Sequence, residues 1–323
     1  MPLRDLPPGA ARARPPLTAN PEIPAAEIFG RTFGRRVKFR PAEWLMLGYF
    51  AVMALIVAVF RNRLADGAEL LAGYALAALF LLVLAEAERR FPGRKAVRFA
   101  RFSGPFLLLP FAYGAAARTS RVLHGRYLDV DLYTWETALL GFAPNTAVTA
   151  AIGSPLVTEV LTFCYFSFYG CFLIPAILYA RGRVPLAERY VFAALAVFLP
   201  SYLGFIAIPL TGPALALPEL LAVHGPSGYA VTAVQGEIMA AFDPPGACFP
   251  STHVAGAWIT LLCLRRHVSR NVRLVLCTLT AGLTVAVVYA WYHYLSDAVA
   301  GLAVALVVHA VTERCAARPR TPG

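Results

Sequence analysis

Long runs of apolar residues, set apart by short arginine-bearing connections, constrain this chain more than any other feature. A helix crosses a hydrocarbon core of about 30 Å with about 20 mostly apolar residues. Eight stretches meet or approach that length: 43–60, 69–86, 102–117, 157–180, 190–210, 252–264, 274–292 and 297–312. The sixth and eighth are short. The third and fifth carry proline (Pro110, Pro200 and Pro209), which a membrane helix tolerates when neighbours satisfy the freed carbonyls. The chain is 59% hydrophobic and 15% charged, whereas a soluble domain carries about 25% charged residues. That excludes an ordinary soluble globule, a disordered chain and a small disulfide scaffold. The expected fold class is all-α, a polytopic integral membrane helical bundle of about 8 spans.

Orientation follows from the basic residues. With the N-terminus inside, the inner connections hold 24 of the 29 lysines and arginines and the outer ones hold 5. Short basic loops stay on the cytoplasmic side, so both termini are expected to be cytoplasmic. The net charge of +11 then reads as loops lying against anionic lipid, with no nucleic-acid partner. Residues 1–42 are rich in proline and arginine and read as a disordered basic cytoplasmic tail. Residues 43–118 read as N-terminal membrane helices, and 316–323 as a second cytoplasmic tail. No apolar run precedes residue 43, so no signal peptide is expected. Of six cysteines only Cys248 falls in an outer loop, which leaves it no outer intrachain partner. No Cys-x-x-Cys pair is present, which argues against a zinc ribbon.

Two stretches carry the chemistry. Cys248-Phe249-Pro250-Ser251-Thr252-His253 sits at the outer mouth of the sixth span. Trp291-Tyr292-His293-Tyr294-Leu295-Ser296-Asp297 sits at the outer junction of the last two spans. In a helix, His293 and Asp297 would lie one turn apart on one face. The carboxylate would then accept the Nδ1 proton, fix the tautomer and leave Nε2 free as a nucleophile. His253, protonated, would donate to a leaving alkoxide. Ser251 and Thr252 follow Pro250 at a helix start, where backbone N–H groups point toward an anion. Each feature also has a plain structural reading: a helix cap for Ser251 and Thr252, a satisfied interfacial histidine for His224 or His309. The two histidines and the aspartate gathered at one face carry the functional reading, because intramembrane ionisable groups are costly to bury.

Pro250-Ser251-Thr252-His253, followed by His293-x-x-x-Asp297, resembles the type 2 phosphatidic acid phosphatase superfamily, and most closely its inositol phosphorylceramide synthase-like branch. Ser201-Tyr202-Leu203-Gly204-Phe205, Pro209 and Gly212-Pro213 are similar to that branch. So are Leu128-Asp129-Val130-Asp131-Leu132, Glu136 and Leu140-Gly141-Phe142-Ala143-Pro144. The likeness spans roughly 120–312 and implies a catalytic membrane domain over 119–315, with a six-helix phosphatase-like core behind added N-terminal helices. It implies a lipid phosphatase or phosphotransferase acting on a lipid phosphate or phospholipid among membrane lipids. His293 would form a phosphohistidine, His253 would protonate the leaving group and Asp297 would orient His293. Pro250, Ser251 and Thr252 would hold phosphate, on the non-cytoplasmic side, with no metal and no cofactor.

The sequence also departs from the family pattern. Thr252 stands where glycine is usual, Ala286-Val287 where Ser-Arg is usual, and Ala214 where arginine follows Gly-Pro. No lysine or arginine occurs in 190–264. A phosphoryl group needs positive donors in a dry site, and the outer face offers Arg118, Arg121 and Arg126 as phosphate-binding candidates, or as a basic rim facing lipid headgroups. The loop 211–250 has no lysine or arginine and includes Pro213, Pro218, Pro226, Pro244 and Pro245. It is long for a connection and reads as a cap with short helices over 216–223 and 229–241. A transporter or channel with a His/Asp proton relay, a zinc enzyme using His253, His293 and Asp297, and a catalytically weakened family member stand as alternatives.

Overall fold

The computed structural model describes residues 38–317. The tail expected over 1–42 therefore lies largely outside the described residues, as does most of 316–323. The described residues form fifteen α-helices and no strand. The first four are α1 (Pro41–Val59), α2 (Gly67–Arg90), α3 (Lys95–Leu107) and α4 (Leu109–Thr119). Next come α5 (Asp129–Leu140), α6 (Pro144–Ile152), α7 (Pro155–Phe166), α8 (Ile174–Ala180) and α9 (Val184–Ala207). Three short helices follow, α10 (Pro213–Ala216), α11 (Pro218–His224) and α12 (Ala230–Phe242). The chain ends in α13 (Thr252–Leu264), α14 (Arg270–Tyr289) and α15 (Leu295–Ala317).

Six helical stretches are long and apolar enough to cross a membrane: α1, α2, α7 with the 3₁₀ segment that follows it, α9, α14 and α15. The other two of the eight expected spans are shorter. The stretch 102–117 is divided at Leu108 into α3 and α4. Pro110 causes the division: it has no N–H to offer the carbonyl four residues back, and its ring crowds that carbonyl. α13 has only 13 residues, about 20 Å of rise. The stretch 157–180 is likewise three pieces, with 3₁₀ geometry over Ser167–Phe172 before Pro175 opens α8.

Burial shows which helices are central. Eleven of the 13 residues of α13 are buried, and α9 buries Tyr190, Val197, Phe198, Tyr202 and Phe205 among others. By contrast α2 turns Leu76, Leu79 and Val83 outward, each more than half exposed. Apolar surface of that extent belongs against lipid tails. Two glycines set the close approaches. A Cβ on Gly204 of α9 would lie 2.5 Å from the Pro250 ring. Gly212 has φ +91° and packs against the Tyr292 carbonyl, a left-handed backbone that favours glycine.

An ion-pair layer closes one end of the bundle. Arg101 makes a bidentate pair with Glu43 at 2.6 and 2.8 Å and reaches Glu88 at 3.2 Å. Arg40 joins Glu88 at 2.9 Å, and Arg189 pairs with Glu313. These residues lie at the start of α1 and α9, the end of α2 and α15, and within α3. His253, at the start of α13, and His293, just before α15, lie at the opposite end.

Candidate active site

Two helix starts and one helix end build the site. Ser251 caps α13, its hydroxyl accepting from Val254 N at 3.3 Å. Asp297, in the first turn of α15, accepts from Tyr294 N at 3.1 Å, which satisfies a backbone donor that a helix start leaves open. The Ser251 N–H donates to the Asp297 carbonyl at 3.0 Å and ties the two starts together.

His293 is not helical, contrary to the expectation that placed it a turn from Asp297 on one helix. It stands in the bend between α14 and α15, where Tyr292 N and His293 N both donate to the Val287 carbonyl at 3.0 and 2.9 Å. Trp291 makes the bend with φ 62°, uncommon for a bulky residue and costing about 1–3 kcal/mol. The indole is fully buried and its N–H donates to Thr149 Oγ1 at 3.2 Å. Asn145 of α6 holds the bend from behind, donating to the Val288 and His293 carbonyls at 2.8 and 3.0 Å. Nothing in the sequence pattern singled out Asn145 or Thr149, because their contacts are more than 130 residues away.

The predicted trio does meet. His293 Nδ1 lies 3.4 Å from Asp297 Oδ2, and the rings of His253 and His293 are 5.8 Å apart. Cys248 is wedged against the pair: its thiol donates to Asp297 Oδ2 at 2.9 Å and sits 3.2 Å from His293 Nδ1. Burial, reinforced by the neighbouring carboxylate, pushes the thiol's pKa well up and keeps it a donor. Cys248, His293 and Asp297 present S, N and O atoms within 4.8 Å of one another, a set zinc can use. His253 lies between Tyr165 and Phe168 at 4.6 and 4.5 Å. Its Nε2 is 2.9 Å from the Tyr165 hydroxyl, and its buried Nδ1 has no partner among the described residues.

A cavity of about 230 Å³ opens beside His253 and Thr252. Aromatic rings of α4, α7, α9 and the Ser167–Phe172 segment line it, and α12 with Asp243 covers it. The cap helices fall at 218–224 and 230–242, close to the expected ranges. Glu159 of α7 holds the start of α12, accepting from Tyr229 N at 2.6 Å, Val231 N at 2.9 Å and Thr232 N at 3.0 Å. A carboxylate there complements the helix dipole. At the far end Asp243 accepts from the Tyr113 hydroxyl. Burial raises the Asp243 carboxyl above its usual range, against the pull of that hydroxyl.

The three arginines do not join this cavity. Arg118 pairs with Asp66 and Glu69, Arg126 pairs with Asp131, and Arg121 lies 5.2 Å over the Tyr127 ring. Arg118 and Arg121 line a separate hollow with Arg63 and His124. Acids elsewhere have clear local partners. Asp129 accepts from Thr211 N, Gly212 N and the Tyr294 hydroxyl, and Glu136 accepts from Ser296 N at 2.5 Å.

The profile of the PAP2 superfamily matches residues 130–311, more than half of the chain. The chain belongs to that superfamily, the type 2 phosphatidic acid phosphatases, and with its apolar helices it is an integral membrane protein. No curated protein and no solved structure matches it.

Because the Ser251 hydroxyl is engaged as a cap, Ser251→Ala should lower stability by about 1 kcal/mol, read by thermal unfolding in detergent. Turnover should change less than about tenfold; a much larger loss would return the hydroxyl to phosphate binding.

Proposed function

We propose that the protein is a lipid phosphoesterase that works through a phosphohistidine on His293 and passes the phosphoryl group to an alcohol or to water. One observation carries this reading: two imidazoles 5.8 Å apart, one of them with its Nδ1 facing a buried carboxylate. Asp297 on Nδ1 leaves Nε2 of His293 as the lone pair. Nε2 attacks phosphorus, the bond to the lipid oxygen breaks, and His253 gives that oxygen its proton. An acceptor hydroxyl then returns a proton to His253 as its oxygen displaces His293. We assign catalysis to 119–315 and place the site on the non-cytoplasmic side, which the 24-to-5 distribution of basic residues supports. The cap over the cavity and the likeness to inositol phosphorylceramide synthases support transfer over hydrolysis, since a covered site admits little water.

The test uses purified full-length protein in detergent. Labelled phosphatidate, an isoprenoid diphosphate, or phosphatidylinositol with ceramide is offered, with His293→Ala as the blank. The expected result is release or transfer of label by the wild type alone, blocked by vanadate and indifferent to chelator. Equal turnover by the variant removes the proposal. One observation favours a second reading, a catalytically weakened member: no lysine or arginine lines the cavity among the described residues. Absence of turnover on every lipid would select it.

A further inference from the structure

The cavity beside His253 is unlike a site made for phosphate alone. Beside the proposed catalytic His253, its one other ionisable group of ordinary acid or base type is an acid, Asp243, and its walls are rich in rings: Tyr113, Tyr169, Phe172, Phe198, Tyr202 and Phe242. Neighbouring rings lie at van der Waals range, with Tyr113–Tyr202 centroids 5.7 Å apart and Phe198–Tyr202 centroids 6.2 Å apart. Apart from His253, a bare anion would meet a carboxylate and no lysine or arginine among the described residues. A polyol would fare little better, because three of the four lining tyrosine hydroxyls are engaged, by Asp243, His253 and Gln235. Its own hydroxyls would be buried largely without partners, which is costly. What such walls do favour is an organic cation. Aromatic faces attract ammonium groups through their quadrupoles, most strongly where water is excluded, and a carboxylate at the rim completes the charge.

We infer that this cavity takes the ammonium end of a zwitterionic phospholipid headgroup, with its phosphodiester at His253 and His293, so that the donor is a choline- or ethanolamine-bearing lipid. The inference rests on the phosphoesterase reading for the reaction, though not for the binding. The volume, about 230 Å³, lies below that of pockets for drug-sized ligands and suits a headgroup without its acyl chains. The headgroup stays on phosphorus through the transfer: the His293–phosphorus bond forms as the bond to the diacylglycerol oxygen breaks, His253 protonates that oxygen, and the acceptor alcohol then takes the headgroup phosphate. The scheme also accounts for the missing cations, since a phosphodiester carries one negative charge and its own ammonium offsets it.

The test separates binding from turnover. Phosphocholine, choline, inositol 1-phosphate and inorganic phosphate are titrated into the full-length protein in detergent by calorimetry. Phosphocholine should bind at least about tenfold more tightly than inositol phosphate or inorganic phosphate, with choline as a competitor. Asp243→Asn should weaken phosphocholine at least about tenfold, and Asp243→Glu should restore most of it. Should Asp243→Asn fail to fold, as judged by gel filtration, Tyr169→Leu is expected to give the same weakening. Equal binding of the four probes, preference for inositol phosphate, or indifference to both substitutions overturns the inference. Turnover of labelled phosphatidylcholine and phosphatidylethanolamine is then compared with that of phosphatidate and phosphatidylinositol. His293-dependent turnover of the anionic lipids alone overturns the headgroup assignment and leaves the phosphoesterase reading standing. Phosphocholine binding without turnover of any lipid does the reverse.

Discussion

His293→Ala should reduce turnover by at least about 10³-fold for every substrate, while His253→Ala should cost about 10²–10⁴-fold only where the leaving group needs a proton. The asymmetry follows from the site. Asp297 and Cys248 crowd Nδ1 of His293, which in the proposed mechanism leaves Nε2 as the attacking nitrogen. His253 has an aromatic hydroxyl on one nitrogen and no partner for the other among the described residues, which suits the proton exchange proposed for it. A nitrophenyl phosphodiester, whose leaving group departs unprotonated, should narrow the loss in His253→Ala to about tenfold or less and leave the loss in His293→Ala unchanged. Parallel losses for both variants across leaving groups would contradict this division of labour. Both variants should unfold within a few degrees of the wild type.

The largest effect on stability is expected at the opposite end. Arg101 and Glu43 are a buried pair, their side chains 9% and 1% exposed. Arg101→Leu should lower stability by about 3–5 kcal/mol, because Glu43 would keep its charge without its guanidinium. Glu43→Leu combined with Arg101→Leu should recover most of that loss, since two well-packed apolar side chains often replace such a pair at no net cost. Unfolding in detergent with rising denaturant measures both. A double variant no more stable than the single one would show that the pair contributes through its network with Glu88 and Arg40 instead.

Apolar block length made the helical membrane class legible, and it placed four of the long helices, α1, α2, α14 and α15, within a few residues. The breaks were harder to read. Leu108 looks like any apolar residue, and only the local chain shows where Pro110 divides the helix. The two histidines and Asp297 were legible because short motifs at one membrane face bring chemistry-bearing groups close whatever the packing. Their neighbours were not. Tyr165 and Asn145 reach the site from distant segments, Cys248 and Asp243 reach it from the loop ahead of His253, and residue type alone says nothing about which side chain fills a gap. The helical spacing of His293 and Asp297 pointed to the right pair for the wrong reason: the contact comes from a bend and a capping carboxylate. The arginines misled in the opposite sense, because exposed guanidinium groups find local acids, as Arg118 does with Asp66.

One oxygen of Asp297 serves three neighbours, the Tyr294 amide, the Cys248 thiol and the His293 ring. Reactivity is therefore hostage to a single turn of backbone. Fraying at the start of α15, where helix ends open most easily, releases the imidazole and the cap together. On the proposed mechanism, heat should then silence the protein before it melts the bundle, and whatever steadies that turn should also keep the imidazole in place.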